Sequence, residues 1–214
     1  MELTRISPRT IKPALALLLG LWAGNSLATG LAEGLLQCQP SFFKNLHAQR
    51  GELARQVKLS EDDKAGVAWI SVADRTSPEG ALLTFAHPVD DNGLPLTAWY
   101  DRAFDLGAQG TYYFWGFETV ASREEVMAKL PQAQWEEAGE YFISRPQIKP
   151  RGSDAWQDNP SAASGIAPAA GSAEKLLMLS TEDGKTRLLC SLQGSIDTAL
   201  LQRERPDALP GAGQ

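Results

Sequence analysis

Apolar residues first recur at helical spacing over residues 41–58, where Phe42, Phe43, Leu46, Leu53 and Val57 are separated by Lys44, Asn45, Arg50, Glu52 and Arg55. Ser60-Glu61-Asp62-Asp63 then reads as a solvated acidic connector. From Gly66 the pattern turns to strands. Gly66–Asp74 and Ala81–His87 flank the turn Ser77-Pro78-Glu79-Gly80, and Pro88 is expected to end the second of them. Asp90-Asp91-Asn92-Gly93 predicts another turn, followed by a strand over Leu96–Phe104. Thr111–Val120 carries the strongest strand pattern, centred on Tyr112-Tyr113-Phe114-Trp115-Gly116-Phe117. Short turns between these segments favour an antiparallel meander, because parallel neighbours need long crossovers.

Ser122-Arg123-Glu124-Glu125 has the form of a capping box and predicts a helix to about Leu130, stopped by Pro131. Glu140–Arg145 is a short strand ended by Pro146. The next stretch, 149–173, changes character: 17 of its 25 residues are Gly, Pro, Ala or Ser, which predicts a flexible insertion. Lys175–Thr181 and Thr186–Gln193 then form a hairpin around Glu182-Asp183-Gly184-Lys185. Its register sets Glu182 opposite Lys185 and Leu177 opposite Cys190, and its two apolar faces place it centrally in the sheet. Ser195 is positioned to cap a last helix through about Arg203, with residues 205–214 as a disordered tail. The pattern therefore predicts a single α+β domain over residues 29–204: a mainly antiparallel sheet of about six to seven strands, a few packed helices and one long insertion.

Residues 1–28 stand apart. Arg5, Arg9 and Lys12 precede an uncharged apolar run from Ala14 to Gly24, then small residues ending in Ser26-Leu27-Ala28. This is the order of a secretory signal peptide, and the run is shorter than the roughly 20 residues a spanning helix needs. Cleavage there predicts a periplasmic or secreted protein with no stable membrane insertion. It would leave 17 Lys and Arg against 25 Asp and Glu, a net charge of −8. Such a charge opposes binding to phosphate backbones, so no nucleic-acid partner is expected.

The two cysteines, Cys38 and Cys190, survive cleavage, and in an oxidising compartment they most simply form one disulfide. Two separately buried thiols are the alternative. Neither His47 nor His87 lies near a cysteine at a zinc-site spacing, so no metal and no cofactor are expected.

Catalytic signatures are absent: the chain has no Gly-rich phosphate loop, dinucleotide fingerprint, Gly-x-Ser-x-Gly elbow or His-Glu-x-x-His. His87, beside Asp90 and Asp91, and His47 read as a strand-end and a helix-surface histidine. Asp101, Asp105 and Glu118, on or near the aromatic strands, are the acids a glycosidase-like pair would draw on. The dense feature is the aromatic strand itself. Alternation puts Tyr113, Trp115 and Phe117 on one face and Tyr112 and Phe114 on the other, one face being core and the other a partner surface if left open. Trp156, alone in the small-residue stretch, either docks a partner or tucks onto the body. These features point to a non-enzymatic exported module that binds a protein partner in the envelope, such as an inhibitor or immunity protein neutralising a toxin or hydrolase. The alternatives are a secreted carbohydrate-active enzyme or sugar-binding domain, and an envelope structural or assembly factor.

Overall fold

The computed structural model describes residues 30–209; the expected signal peptide and the last five residues of the expected tail lie outside them. The described chain is an α+β domain with ten strands and four helices, a few more strands than the pattern predicts. In chain order these are α1 (Leu31–Gly34), α2 (Ser41–Leu53), β1 (Leu59–Asp62), β2 (Val67–Ile70), β3 (Leu82–Asp91), β4 (Leu94–Asp105) and β5 (Thr111–Thr119). They continue as α3 (Arg123–Lys129), β6 (Trp135–Ala138), β7 (Tyr141–Lys149), β8 (Gln157–Asp158), β9 (Ala173–Glu182), β10 (Lys185–Gly194) and α4 (Thr198–Glu204). β1 and β2 form a separate hairpin. The main sheet has the order β3-β4-β5-β10-β9-β7-β6, with β8 added alongside β7, and every pair is antiparallel.

The β9–β10 hairpin is central and has the expected register, Glu182 facing Lys185 and Leu177 facing Cys190. Its Asp183 and Gly184 both take positive φ, 50° and 75°, as a tight two-residue hairpin turn requires. The capping box at α3 also forms: the Glu125 N–H donates to Ser122 Oγ and the Ser122 N–H to the Glu125 carboxylate.

One face of the sheet carries the main core. The Phe42 ring of α2 stacks on Trp99 of β4 at 5.7 Å, and Phe117 of β5 meets Trp99 edge-on at 4.9 Å. α2 itself lies between this face and the β1–β2 hairpin, whose β2 is buried along its whole length. Cys38 and Cys190 are joined, with an S–S distance of 2.08 Å and a Cα–Cα distance of 5.4 Å. The bridge ties the chain before α2 to the middle of β10. No described helix is long and apolar enough to cross a membrane.

Several expectations are corrected. Pro88 does not end β3; it sits in an irregularity between Thr84 and Val89 on an edge strand, where a missing N–H costs no ladder bond. The acidic connector is partly a strand, because Leu59–Asp62 pairs with β2. β6 has no strong apolar signal and owes its place to pairing with β7. The 149–173 stretch, expected to be flexible, follows a defined path: β8 pairs with β7, and Asn159, Ala162 and Ser172 are buried. Its small residues allow close approach, and its backbone finds partners, as in the Asn159 N–H to Pro146 O bond. Asp197, not Ser195, caps α4 by accepting from the Leu200 N–H. Arg205–Leu209 do not fray, since Arg205 and Asp207 are 0% and 2% exposed.

Candidate ligand groove

Alternation along β5 divides the aromatic cluster. Trp115 and Phe117 are 1% exposed and belong to the core, and Tyr113 is half-buried beside Arg205. Trp115 and Phe117 are therefore corrected from partner surface to interior, and Tyr113 lies on the core face, partly covered. Tyr112 and Phe114 point to the opposite face, where none of the four described α-helices packs. There they line a groove of about 400 Å³. Leu176 and Met178 of β9, Leu189 of β10 and Ile143 of β7 share its lining with them. Phe104 stands edge-on to Phe114 at 5.9 Å. Gly116 adds no side chain: its φ is 156°, and a Cβ there would lie 2.1 Å from the Leu188 carbonyl oxygen.

The groove's wall comes from the small-residue stretch, through Ala162, Gly165, Ile166 and Ala167. The described chain exposes five large apolar side chains, and Phe104, Tyr141 and Ile166 among them lie at this groove. Apolar groups left in water around a concavity mark surfaces that bind.

The two ends of the groove differ in charge. At one end Arg187 donates to Glu118 at 2.8 Å, pairs with Glu182 and lies over the Tyr100 ring at 4.7 Å. Burial pulls the Arg187 pKa down, but the bond to Glu118 and the nearby acids outweigh it and hold it above the ordinary value. Burial pushes the Tyr100 hydroxyl up. At the other end lies Glu174, 2% exposed. Its carboxylate accepts from Asn159 Nδ2 and Gln193 Nε2. Both amides are oriented from behind: Asn159 Oδ1 accepts from the Ser161 hydroxyl at 2.7 Å, and Gln193 Oε1 accepts from the Ser191 hydroxyl at 3.3 Å. Burial raises the Glu174 carboxyl's pKa, against the pull of the two amides.

The acids considered for catalysis are not brought together. Asp101 pairs in register with Trp115 and faces the core, whereas Glu118 shares the face of Tyr112 and Phe114. Asp101 lies 3.0 Å from Arg205 and 3.1 Å from Arg75, and Asp207 is 2.7 Å from Arg205. Burial raises the Asp101 carboxyl despite these cations. Burial also opposes the charge on Arg205, but Asp101 and Asp207 hold its pKa above the ordinary value. The Arg205 guanidinium lies 4.3 Å from the centre of the Trp115 ring. Asp105 is exposed and accepts the Gly107 N–H. His87 is exposed on β3.

His47 bonds Asp63 at 2.8 Å and, with Glu61, could frame a cation, but Arg50 already bridges Glu61 at 3.0 Å and Asp63 at 3.7 Å. Hydrogen bonding from His47 lowers the exposed Asp63 carboxyl's pKa. Trp156 tucks onto the body: its indole N–H donates to Glu204 at 3.0 Å, and Lys175 sits 4.4 Å from its ring centre.

Sequence reasoning missed Glu174, Arg187, Gln193 and Ile166. The available signal was the charged Glu174-Lys175 pair opening an otherwise apolar strand, since alternation must bury one of the two on each face. No protein-family model matches this chain, and neither a curated protein nor a solved structure matches it. The functional reading therefore rests on the residues themselves.

Proposed function

We propose that this chain is a non-enzymatic, exported protein-binding module that seats a partner on the open face of its sheet. In its most concrete form it is an envelope inhibitor or immunity protein that neutralises a toxin or hydrolase. The observation that carries the reading is the groove of about 400 Å³ with Phe104, Tyr141 and Ile166 exposed around it. The basic, apolar, small-residue order of residues 1–28 and the Cys38–Cys190 bridge support export. Asp101 and Glu118 face opposite sides of the sheet and each is bound by arginine, which disfavours a paired-carboxylate hydrolase built on them.

The test starts from a partner captured in stoichiometric amount from envelope extract and identified by mass spectrometry. Its affinity is then measured for the wild-type protein and for Met178→Arg, with circular dichroism to verify the fold. A loss of at least about 30-fold is expected, the size of a lost interface anchor. Unchanged affinity in a folded Met178→Arg protein would overturn the reading. Tyr100, Tyr112 and Tyr141 in the lining favour sugar binding as a second reading. Retention of the protein on a polysaccharide column, abolished by Tyr112→Ala, would favour it over the first.

A further inference from the structure

Five carboxylates are buried in the described chain: Asp101, Glu118, Glu174, Glu204 and Asp207. Four have a cation against them. Asp101 and Asp207 have Arg205, Glu118 has Arg187, and Glu204 has Lys175 at 3.0 Å. Glu174 has none among the described residues and is held by two neutral amides alone. Burying a carboxylate without a counter-charge is expensive, and amide donors offset only part of that cost. This is also the one buried carboxylate of the five that lines the groove. Its neighbours are oriented to donate, so it is presented as an acceptor.

Along β9 the lining runs from Glu174 through Leu176 and Met178 to Ser180, six residue steps or about 20 Å of strand. The lining also crosses the sheet from Tyr100 on β4 to Ile143 on β7, so the space of about 400 Å³ is a broad apolar floor on which a stem can lie, with Glu174 at one end.

We propose that the Glu174 end of the groove receives a single primary ammonium group carried on an apolar stem, the chemistry of a lysine side chain presented by the partner. This rests on the reading that a protein partner occupies the open face. A compact ammonium fits better than a guanidinium. Glu174 is 2% exposed and both its oxygens already carry an amide, which leaves room for a compact point donor rather than a broad planar fork. The apolar lining receives the stem and the partner's neighbouring side chains.

The chain contains three methionines, and Met178 lies in the groove, so a methyl-labelled methionine spectrum reports on it directly. Hexylammonium, hexanol and hexanoate are titrated while the Met178 methyl signal is followed. In the wild-type protein hexylammonium binds about ten-fold more tightly than hexanol, as a charged hydrogen bond would give, and hexanoate binds weakest. In Glu174→Gln hexylammonium falls to the level of hexanol, which itself is unchanged. General attraction of the amine to an acidic protein would survive that substitution. Equal wild-type affinities for ammonium and alcohol, hexanoate binding as tightly as either, or no Met178 response to any probe overturns the proposal. Should Glu174→Gln fail to fold, the wild-type ordering is repeated at about 1 M salt, which screens a general attraction to an acidic protein; an ordering lost in salt overturns the proposal and one that persists supports it. The probes need no partner, which separates this test from that of the wider reading. If the ordering holds but acetylating the partner's lysines leaves its affinity unchanged, the lysine assignment is overturned and a free amine remains as the ligand.

Discussion

The two faces of the main sheet are made from the same strands, yet they are finished differently. On one face Trp99, Trp115 and Phe117 meet Phe42, the disulfide pins the helical layer to β10, and Arg205 sits between Asp101 and Asp207. The large side chains there pack against one another within the chain. On the other face Phe104, Tyr112 and Phe114 line an open groove, Ile166 stands 76% exposed, and Glu174 has no counter-charge among the described residues. An antiparallel sheet is stable with one face packed and the other in water, but the wet face is then normally polar. Here it is apolar and aromatic. The lesson is that the main core lies on the first face and the exposed apolar area on the second, so substitutions on the two should separate.

The largest effect is expected at the bridge that fastens the helical layer. Cys38→Ser removes a cross-link between residues 152 apart in sequence. On the chain-entropy estimate it should lower stability by at most about 5 kcal/mol, measured by denaturant unfolding. A loss below about 1 kcal/mol would show that the non-covalent packing alone holds this face. Arg205→Met comes next. It leaves Asp101 and Asp207 facing each other in the interior with Arg75 as their remaining cation, and a cost of about 3–5 kcal/mol follows from stranding buried charge.

Adjacent residues of β5 give the most direct contrast. Trp115→Ala opens a cavity in the core and should cost about 3–5 kcal/mol of stability. Phe114→Ala, one residue away, should cost only about 1 kcal/mol of stability while weakening partner binding by about 2 kcal/mol. If the two variants unfold at the same denaturant concentration, the distinction between the faces is wrong.

The smallest effect is a pH dependence. Burial raises the Glu174 carboxyl above its ordinary 4.5, so the folded state holds that proton more tightly than the unfolded chain does. Stability from this group is therefore present below the ordinary value and is lost as pH climbs through the raised one. Comparing the wild-type protein with Glu174→Gln isolates the slope, because Asp101 contributes the same in both. The wild-type protein should lose stability relative to the variant as pH rises above 4.5. Parallel curves would mean that Glu174 titrates like an exposed carboxyl.

Local signals were legible because they need only near neighbours in the chain. Ser122 to Glu125 spans one helical turn, Asp183-Gly184 closes a hairpin unaided, and the alternation of Tyr112 to Phe117 assigns faces wherever the strand lies. The antiparallel α+β class and the central hairpin followed from these, and the cysteine pairing followed from number and compartment. Signals that depend on a distant partner were not legible. Leu59–Asp62 and Trp135–Ala138 are strands only because β2 and β7 lie beside them. Arg205 reads as tail until Asp101, more than 100 positions earlier, is folded beneath it.

By itself, then, the sequence determined which residues share a face, where the chain turns and which two sulfurs meet. Tertiary structure alone decided which face the helices cover. That choice turns Trp115 into core and leaves Phe114 facing a groove, since alternation fixes opposition but not which side is sealed. It also decided the charge of the groove. The order of the sheet strands brings β9 and β10 together with Asn159, and so leaves Glu174 with two amides while every other buried carboxylate of the described chain received a cation. Counter-charge is a property of three-dimensional neighbours within a few ångströms, which no one-dimensional spacing between residues 159, 174 and 193 encodes.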